Sequence, residues 1–247
     1  MQGKLRGPDE VFPVSDDLLR DLAAEPYEPR GILNSEMALI IGTCRKQRID
    51  VVFESGRARG HSTYLLNKYL YCIIQSYELR RDDDALYCEN KLKGRGNIAR
   101  GYGDSRILMP QLRDFYKEFW PRCRIAVLLD GPKGIAALDL LAECFAYPNV
   151  IVGFIHDMRA LDHGEPSPYR IEAEKRFPGA RFSDDPEYVA LTKHLDEHID
   201  ESTGWKPYHA RKHDKPESPF EPTGSYGPTV GVFFNRAGQA KVAADAA

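Results

Sequence analysis

IDVVFESGRARGHS, residues 49–62, sets the fold. An apolar, β-branched run ends at Glu54, and Gly56 and Gly60 bracket the turn that leads from it into the next helix. The run does not alternate with polar residues, so it reads as a strand buried on both faces, as in a parallel sheet. Glycines at such a turn let backbone approach a ligand, and the amino end of the next helix offers free N–H groups to an anion. Glu54, Arg57, His61 and Ser62 belong to the same turn and count with Gly56 and Gly60 as candidate ligand-binding residues. The Glu-x-Gly-x-x-x-Gly spacing is not the Gly-x-Gly-x-x-Gly of dinucleotide folds.

Working outward, a helix is expected over 62–69 and a second strand over 71–78 (YCIIQSYE). A weak third strand lies at 97–102, a helix at 110–120 (PQLRDFYKEFW) and a buried strand at 124–131 (RIAVLLDG). A helix at 134–146 and a strand at 150–157 (VIVGFIHD) continue the alternation. Two helices precede the first strand. One is at 15–24, capped by Ser15, and one is at 34–47, with a polar cap and Glu36 in its first turn. Strand–helix alternation at this spacing predicts an α/β fold, a Rossmann-like, mainly parallel sheet flanked by helices. Beyond it come helices at 169–177 and 186–199, a short strand at 180–183 and a closing strand at 228–235. The last strand is expected to be antiparallel, because no full crossover helix precedes it.

The division expected is an arm and short helix (1–30), one domain (31–236) and a flexible tail (237–247), with 159–227 as a substrate lid. That segment carries His163, Tyr169, His194, His198, Trp205, Tyr208, His209 and His213. His194 and His198 are spaced as metal ligands on a helix could be, although a solvated helix face is the favoured reading of them.

The chain has 247 residues, 34 Lys+Arg against 37 Asp+Glu, and 42% hydrophobic residues, enough for a substantial core. The near-neutral charge argues against a nucleic-acid or membrane partner. No apolar run approaches a membrane span, and the amino terminus lacks the apolar core of a signal peptide. Five scattered cysteines without metal spacing read as buried thiols of a reducing compartment, the cytoplasm.

Three further clusters carry chemistry. Glu78 ends the second strand, where an acid can accept both hydroxyls of a ribose, and Gly103-Asp104-Ser105 comes after the third, where it could hold an adenine. LLDGPKG (128–134) puts Asp130 at a strand's carboxyl end with Lys133 three residues on. Together they could serve as a metal ligand and a general base, if the lysine's pKa is lowered. His156 and Asp157 end the next strand. Two carboxylates, Asp130 and Asp157, facing one cleft suit Mg²⁺ or another divalent cation, and His156 could be a ligand, a base or a strand-end residue.

With FESGRARGHS, Glu78, YGDSRILMPQL, LLDGPKG and FIHDM in place, the sequence from about residue 31 to 235 resembles class I S-adenosylmethionine-dependent methyltransferases. The second half is similar to the catechol and caffeoyl-CoA O-methyltransferase group. The resemblance implies S-adenosyl-L-methionine as cofactor, with Gly56, Gly60 and Ser62 around its methionine part, Glu78 on the ribose and Asp104 and Ser105 beside the adenine. It implies Asp130 and Asp157 as metal ligands, Lys133 as the base, and O-methylation of a small-molecule acceptor. Two features depart from that group: Met158 stands where it has Asn, and Arg57 and Arg59 are unusual in the glycine loop. N-methylation, or a cofactor-binding protein that has lost methyl transfer, are the alternatives. A homodimer is compatible with all of them.

Overall fold

The computed structural model describes residues 12–28, 31–159, 161–162, 165–196 and 229–236. Five strands, β1 (Val51–Ser55), β2 (Ile73–Glu78), β3 (Ile98–Tyr102), β4 (Ile125–Leu129) and β5 (Val150–Ile155), pair parallel. Two more, β6 (Arg181–Phe182) and β7 (Gly231–Phe234), complete a seven-stranded sheet in the order β3-β2-β1-β4-β5-β7-β6. β7 runs antiparallel to both neighbours, as the sequence predicts for the closing strand.

Eight α-helices among the described residues cover the two faces. On one face lie α1 (Asp16–Ala23), α2 (Asn34–Lys46), α3 (His61–Tyr69), α4 (Asp83–Lys91) and α8 (Pro186–Thr192). On the other lie α5 (Ser105–Phe119), α6 (Ile135–Phe145) and α7 (Pro168–Arg176). Alternate residues of β1 divide between them: Val52 faces α2 and α3, whereas Val51 and Phe53 face α5 and α6.

Burial explains which strands the sequence announces. Every residue of β1, β4 and β5 is buried, so these central strands are continuous apolar runs. β3, at the sheet edge, has two exposed residues in five and reads weakly.

Three expectations need correction. The sequence offers no helix where α4 lies. This helix buries only Ala85 and Cys88 of its nine residues, and forms because Asp82 accepts from Ala85 N at 2.9 Å. α5 begins at Ser105 rather than at Pro110, capped by Asp104. The residue capping α2 is Leu33, not a polar residue; Glu36 Oε2 accepts its N–H at 3.0 Å, while Asn34 donates back to Leu22 O and Glu25 O.

The span read as a lid divides. Phe182, Tyr188 and Leu195 are core residues, and Tyr188 Oη donates to Ser35 O at 2.6 Å. Residues 197–228, with His198, Trp205, Tyr208, His209 and His213, lie outside the described residues, as do His163 and the tail from 237. No helix of the described residues is long and apolar enough to cross a membrane. All five cysteines are free and buried.

Candidate functional site

The strand order reverses between β1 and β4, and ligands of open α/β sheets bind outside the carboxyl ends of strands at such a point. A cleft of about 300 Å³ lies there, lined by Gly56, Glu78, Asp104, Ser105, Arg106 and Lys133 among others. Of the ten positions expected to bind a ligand, the structure brings Gly56, Glu78, Asp104 and Ser105 to this cleft, with Asp130 next to its Gly131 edge.

The remainder builds the turn from behind. Glu54 is fully buried and accepts from Ser62 Oγ at 2.6 Å, Thr63 Oγ1 at 2.5 Å and Ser76 Oγ at 2.5 Å. Burial pushes its carboxyl up, against the pull of these hydroxyls and Arg57. Ser62 is thereby committed to Glu54 rather than to a ligand. Arg57 is 2% exposed; its Nη1 donates to Ser76 O and Gly101 O, and the guanidinium lies 4.9 Å from the Tyr102 ring centroid. Arg59 turns the other way, to Glu28 at 2.5 Å and over the ring of Tyr87 at 4.0 Å. Both unusual arginines therefore brace the loop.

His61 is buried beside Tyr27, with Nε2 at 3.0 Å from Asn34 Oδ1, and burial lowers its pKa to about 3. It is a neutral packing residue rather than a ligand. Gly60 (φ +78°) meets the Sγ of Cys88, which a Cβ would approach to 2.5 Å, so this glycine serves helix packing.

Gly56 (φ +81°) has a different duty, because a Cβ there would stand 2.5 Å from the backbone nitrogen of Gly131. The turns after β1 and β4 meet at this point. Gly56→Ala must move one of them, and left-handed backbone alone costs a non-glycine residue about 1–3 kcal/mol. We expect a loss of stability of at least that size by chemical denaturation, with weakened ligand binding in the cleft. A variant as stable as the wild type would show the contact to be slack.

Glu78 faces the loop. Its Oε2 accepts from Arg57 N at 3.0 Å and Ala58 N at 2.9 Å, and its Oε1 from Leu79 N at 2.8 Å. A carboxylate has about four acceptor sites, so roughly one remains for a ligand hydroxyl. Asp104 is held by the guanidinium of Arg106 at 2.6 Å and by Arg106 N at 2.9 Å, so it meets the cleft as half of an ion pair.

At the β4 and β5 edge, Asp130, Lys133, His156 and Asp157 form one cluster. Lys133 Nζ sits 2.5 Å from Asp130 Oδ1 and 2.7 Å from Asp157 Oδ2. His156 Nδ1 lies 2.8 Å from Asp130 Oδ1 and 3.5 Å from Asp157 Oδ1, and its Nε2 lies 3.2 Å from Glu36 Oε2. Asp157 adopts left-handed backbone (φ +63°), which asparagine and aspartate tolerate better than most residues.

The titration directions stem from these contacts. Burial alone would lower the pKa of Lys133 and of His156. The flanking carboxylates outweigh it, raising Lys133 and holding His156 well above its ordinary value. Burial opposes ionisation of Asp130 and Asp157 as well, but His156 and Lys133 hold both below the usual carboxylate range. The expectation of a lysine with lowered pKa is therefore overturned: the flanking acids favour the charged forms of Lys133 and His156.

Sequence reading misses Glu36. It is fully buried, burial raises its carboxyl, and it braces His156 from behind. As an acid in a helix's first turn it reads as a dipole partner, and nothing local marks its contact 120 residues away.

Asp130, His156 and Asp157 are the group among the described residues whose potential metal-ligating atoms come together, all within 4.8 Å. The donor set does not fit a resident divalent ion. The lysine nitrogen lies between the carboxylates, both imidazole nitrogens are engaged, and Met158 is fully buried in the apolar core, supplying no oxygen.

No known family model matches the chain, and no curated protein does. Among solved structures it is similar to an O-methyltransferase from Bacillus cereus in complex with SAH, at 11% identity over 92% of this chain and 94% of that one, TM-score 0.47. The O-methyltransferase TomG from Streptomyces achromogenes, involved in tomaymycin synthesis and in complex with SAM, gives 11% identity over 92% and 93%, TM-score 0.47. An rRNA methylase from Streptococcus thermophilus gives 9% identity over 81% and 95%, TM-score 0.46. Overlap at this level assigns neither a reaction nor an acceptor.

Proposed function

We propose that the chain is an S-adenosylmethionine-dependent methyltransferase acting on a hydroxyl of a small molecule. The observation that carries this reading is the cleft at the strand-order reversal, which Gly56, Glu78, Asp104 and Ser105 line together. Its residues fit the cofactor. The volume suits a nucleoside-sized ligand, Glu78 keeps an acceptor site for a ribose hydroxyl, and Lys133 lines the same cleft, where it could meet an acceptor.

S-adenosylmethionine supplies, when bound, a sulfonium methyl group that needs no further activation. The protein's task is then to align the acceptor oxygen and manage its proton. An ammonium has three N–H donors; Asp130 and Asp157 take two, and the third is left for the acceptor oxygen as its negative charge develops. Asp157, whose Oδ1 lies 3.5 Å from His156 Nδ1, is the carboxylate we assign to receive the hydroxyl proton. With the cofactor bound, the methyl group would pass from its sulfur to the acceptor oxygen, and the S–C bonding pair would remain on sulfur.

Calorimetry with S-adenosylmethionine and its demethylated product tests the reading. Both are expected to bind, and Glu78→Ala is expected to weaken them about 10- to 100-fold, the worth of a hydrogen bond to a charged group. If neither binds and NAD does, the reading fails.

A further inference from the structure

We infer that the ammonium of Lys133 is the resident cation of the Asp130–Asp157 pair, standing where a divalent metal ion would otherwise be held. The inference uses the same site as the proposed reaction, but it concerns the ground-state cluster and does not depend on methyl transfer.

Three observations carry it. The first is position. A divalent ion bridging Asp130 and Asp157 would lie about 2.0–2.6 Å from an oxygen of each. Lys133 Nζ lies 2.5 and 2.7 Å from one oxygen of each. Both cannot occupy that space.

The second is charge. Two carboxylates face two cations, Lys133 and His156, and Glu36 stands behind His156. The two carboxylates and two cations already balance, and a divalent ion added among them would leave an excess of positive charge beside the buried ring of His156.

The third is ligand supply. The imidazole that would add a nitrogen ligand spends both ring nitrogens on carboxylates. The adjacent residue, Met158, turns into the core and donates its N–H to Thr229 O at 2.7 Å.

Lys133 is placed for this by the turn after β4. Pro132 and Gly134 (φ +63°) flank it, and Gly134 caps α6, so the lysine stem leaves the turn three residues from Asp130 and folds back. A methionine of similar length would leave the two carboxylates facing each other with His156 as their one cation.

The test uses Mn²⁺ as probe, read by calorimetry and thermal melting. The wild-type protein is expected to show no saturable Mn²⁺ binding and no change in melting temperature with Mn²⁺ or EDTA. Lys133→Met is expected to gain saturable Mn²⁺ binding, with a melting-temperature rise on the order of 5 °C at a 100-fold excess over Kd. Asp130→Asn in that background should abolish the gain. Lys133→Arg, which keeps a cation, should stay blind to Mn²⁺. Saturable Mn²⁺ binding by the wild type that Asp130→Asn removes would overturn the inference, as would a folded Lys133→Met protein that gains none. Should Lys133→Met not fold, the wild-type titration still decides. These readouts need no cofactor, so a failed methyl-transfer assay leaves them intact.

Discussion

Lys133→Ala is expected to lower kcat by about two to three orders of magnitude, the usual consequence of removing one positioned donor to a developing oxyanion. The Kd for the demethylated cofactor should stay within about threefold, because an interaction made only in the transition state is absent from cofactor affinity. The reason is geometric. The ammonium is fixed by two carboxylates at 2.5 and 2.7 Å, so little rearrangement is needed when an acceptor oxygen arrives. It is also charged at neutral pH, since those carboxylates outweigh the effect of burial. Lys133→Arg is not expected to restore the rate, because a planar fork cannot direct one donor to each carboxylate and a third to the cleft. Single-turnover kinetics beside SAH calorimetry make the measurement. A parallel fall in both quantities would reduce the lysine to a brace.

The second large effect is on stability. Glu54→Ala removes the acceptor of three buried hydroxyls and a carboxylate beside the buried Arg57. Stranding buried polar groups in this way costs about 3–5 kcal/mol, which for a chain of this size is a fall on the order of 10 °C in melting temperature. Glu54→Gln keeps an acceptor oxygen, and hydroxyls can reverse their roles, so it should cost less than half as much. The two differ with pH in a fixed sense. Burial raises the folded-state pKa of Glu54 above its unfolded value. The wild type therefore loses part of its stability as pH rises from the ordinary carboxylate range through the folded value, whereas Glu54→Gln lacks that limb. Denaturant melts from pH 4 to pH 8 separate them; equal slopes would show that Glu54 is not raised.

What the sequence discloses depends on how local the cause is. β1, β4 and β5 are buried on both faces, and an apolar run is the direct record of that. The antiparallel β7 is implied by the missing crossover helix. α4 leaves little trace, because two buried side chains in nine make no periodic stripe. In the site, Gly56, Glu78, Asp104 and Ser105 are legible because a turn after a strand has one place to be. Glu54 and Ser62 sit in the same motif and read as ligand residues, yet they bond to each other, since Ser76 and Thr63 complete the Glu54 shell from places no spacing rule connects. The position of Lys133 is legible and its charge state is not. Burial pulls its pKa down and Asp130 and Asp157 raise it, and Asp157 reaches it only when β4 and β5 lie side by side.

The place of β7 has a consequence for how the chain is made. This strand inserts between β5 and β6, and among the described residues β6 has no other neighbour in the sheet. A nascent chain on the ribosome therefore carries the VIVGFI strand with one open edge until Gly231–Phe234 has emerged. Unpaired apolar edges are templates for pairing with other chains, so chaperone demand during translation should concentrate in that interval.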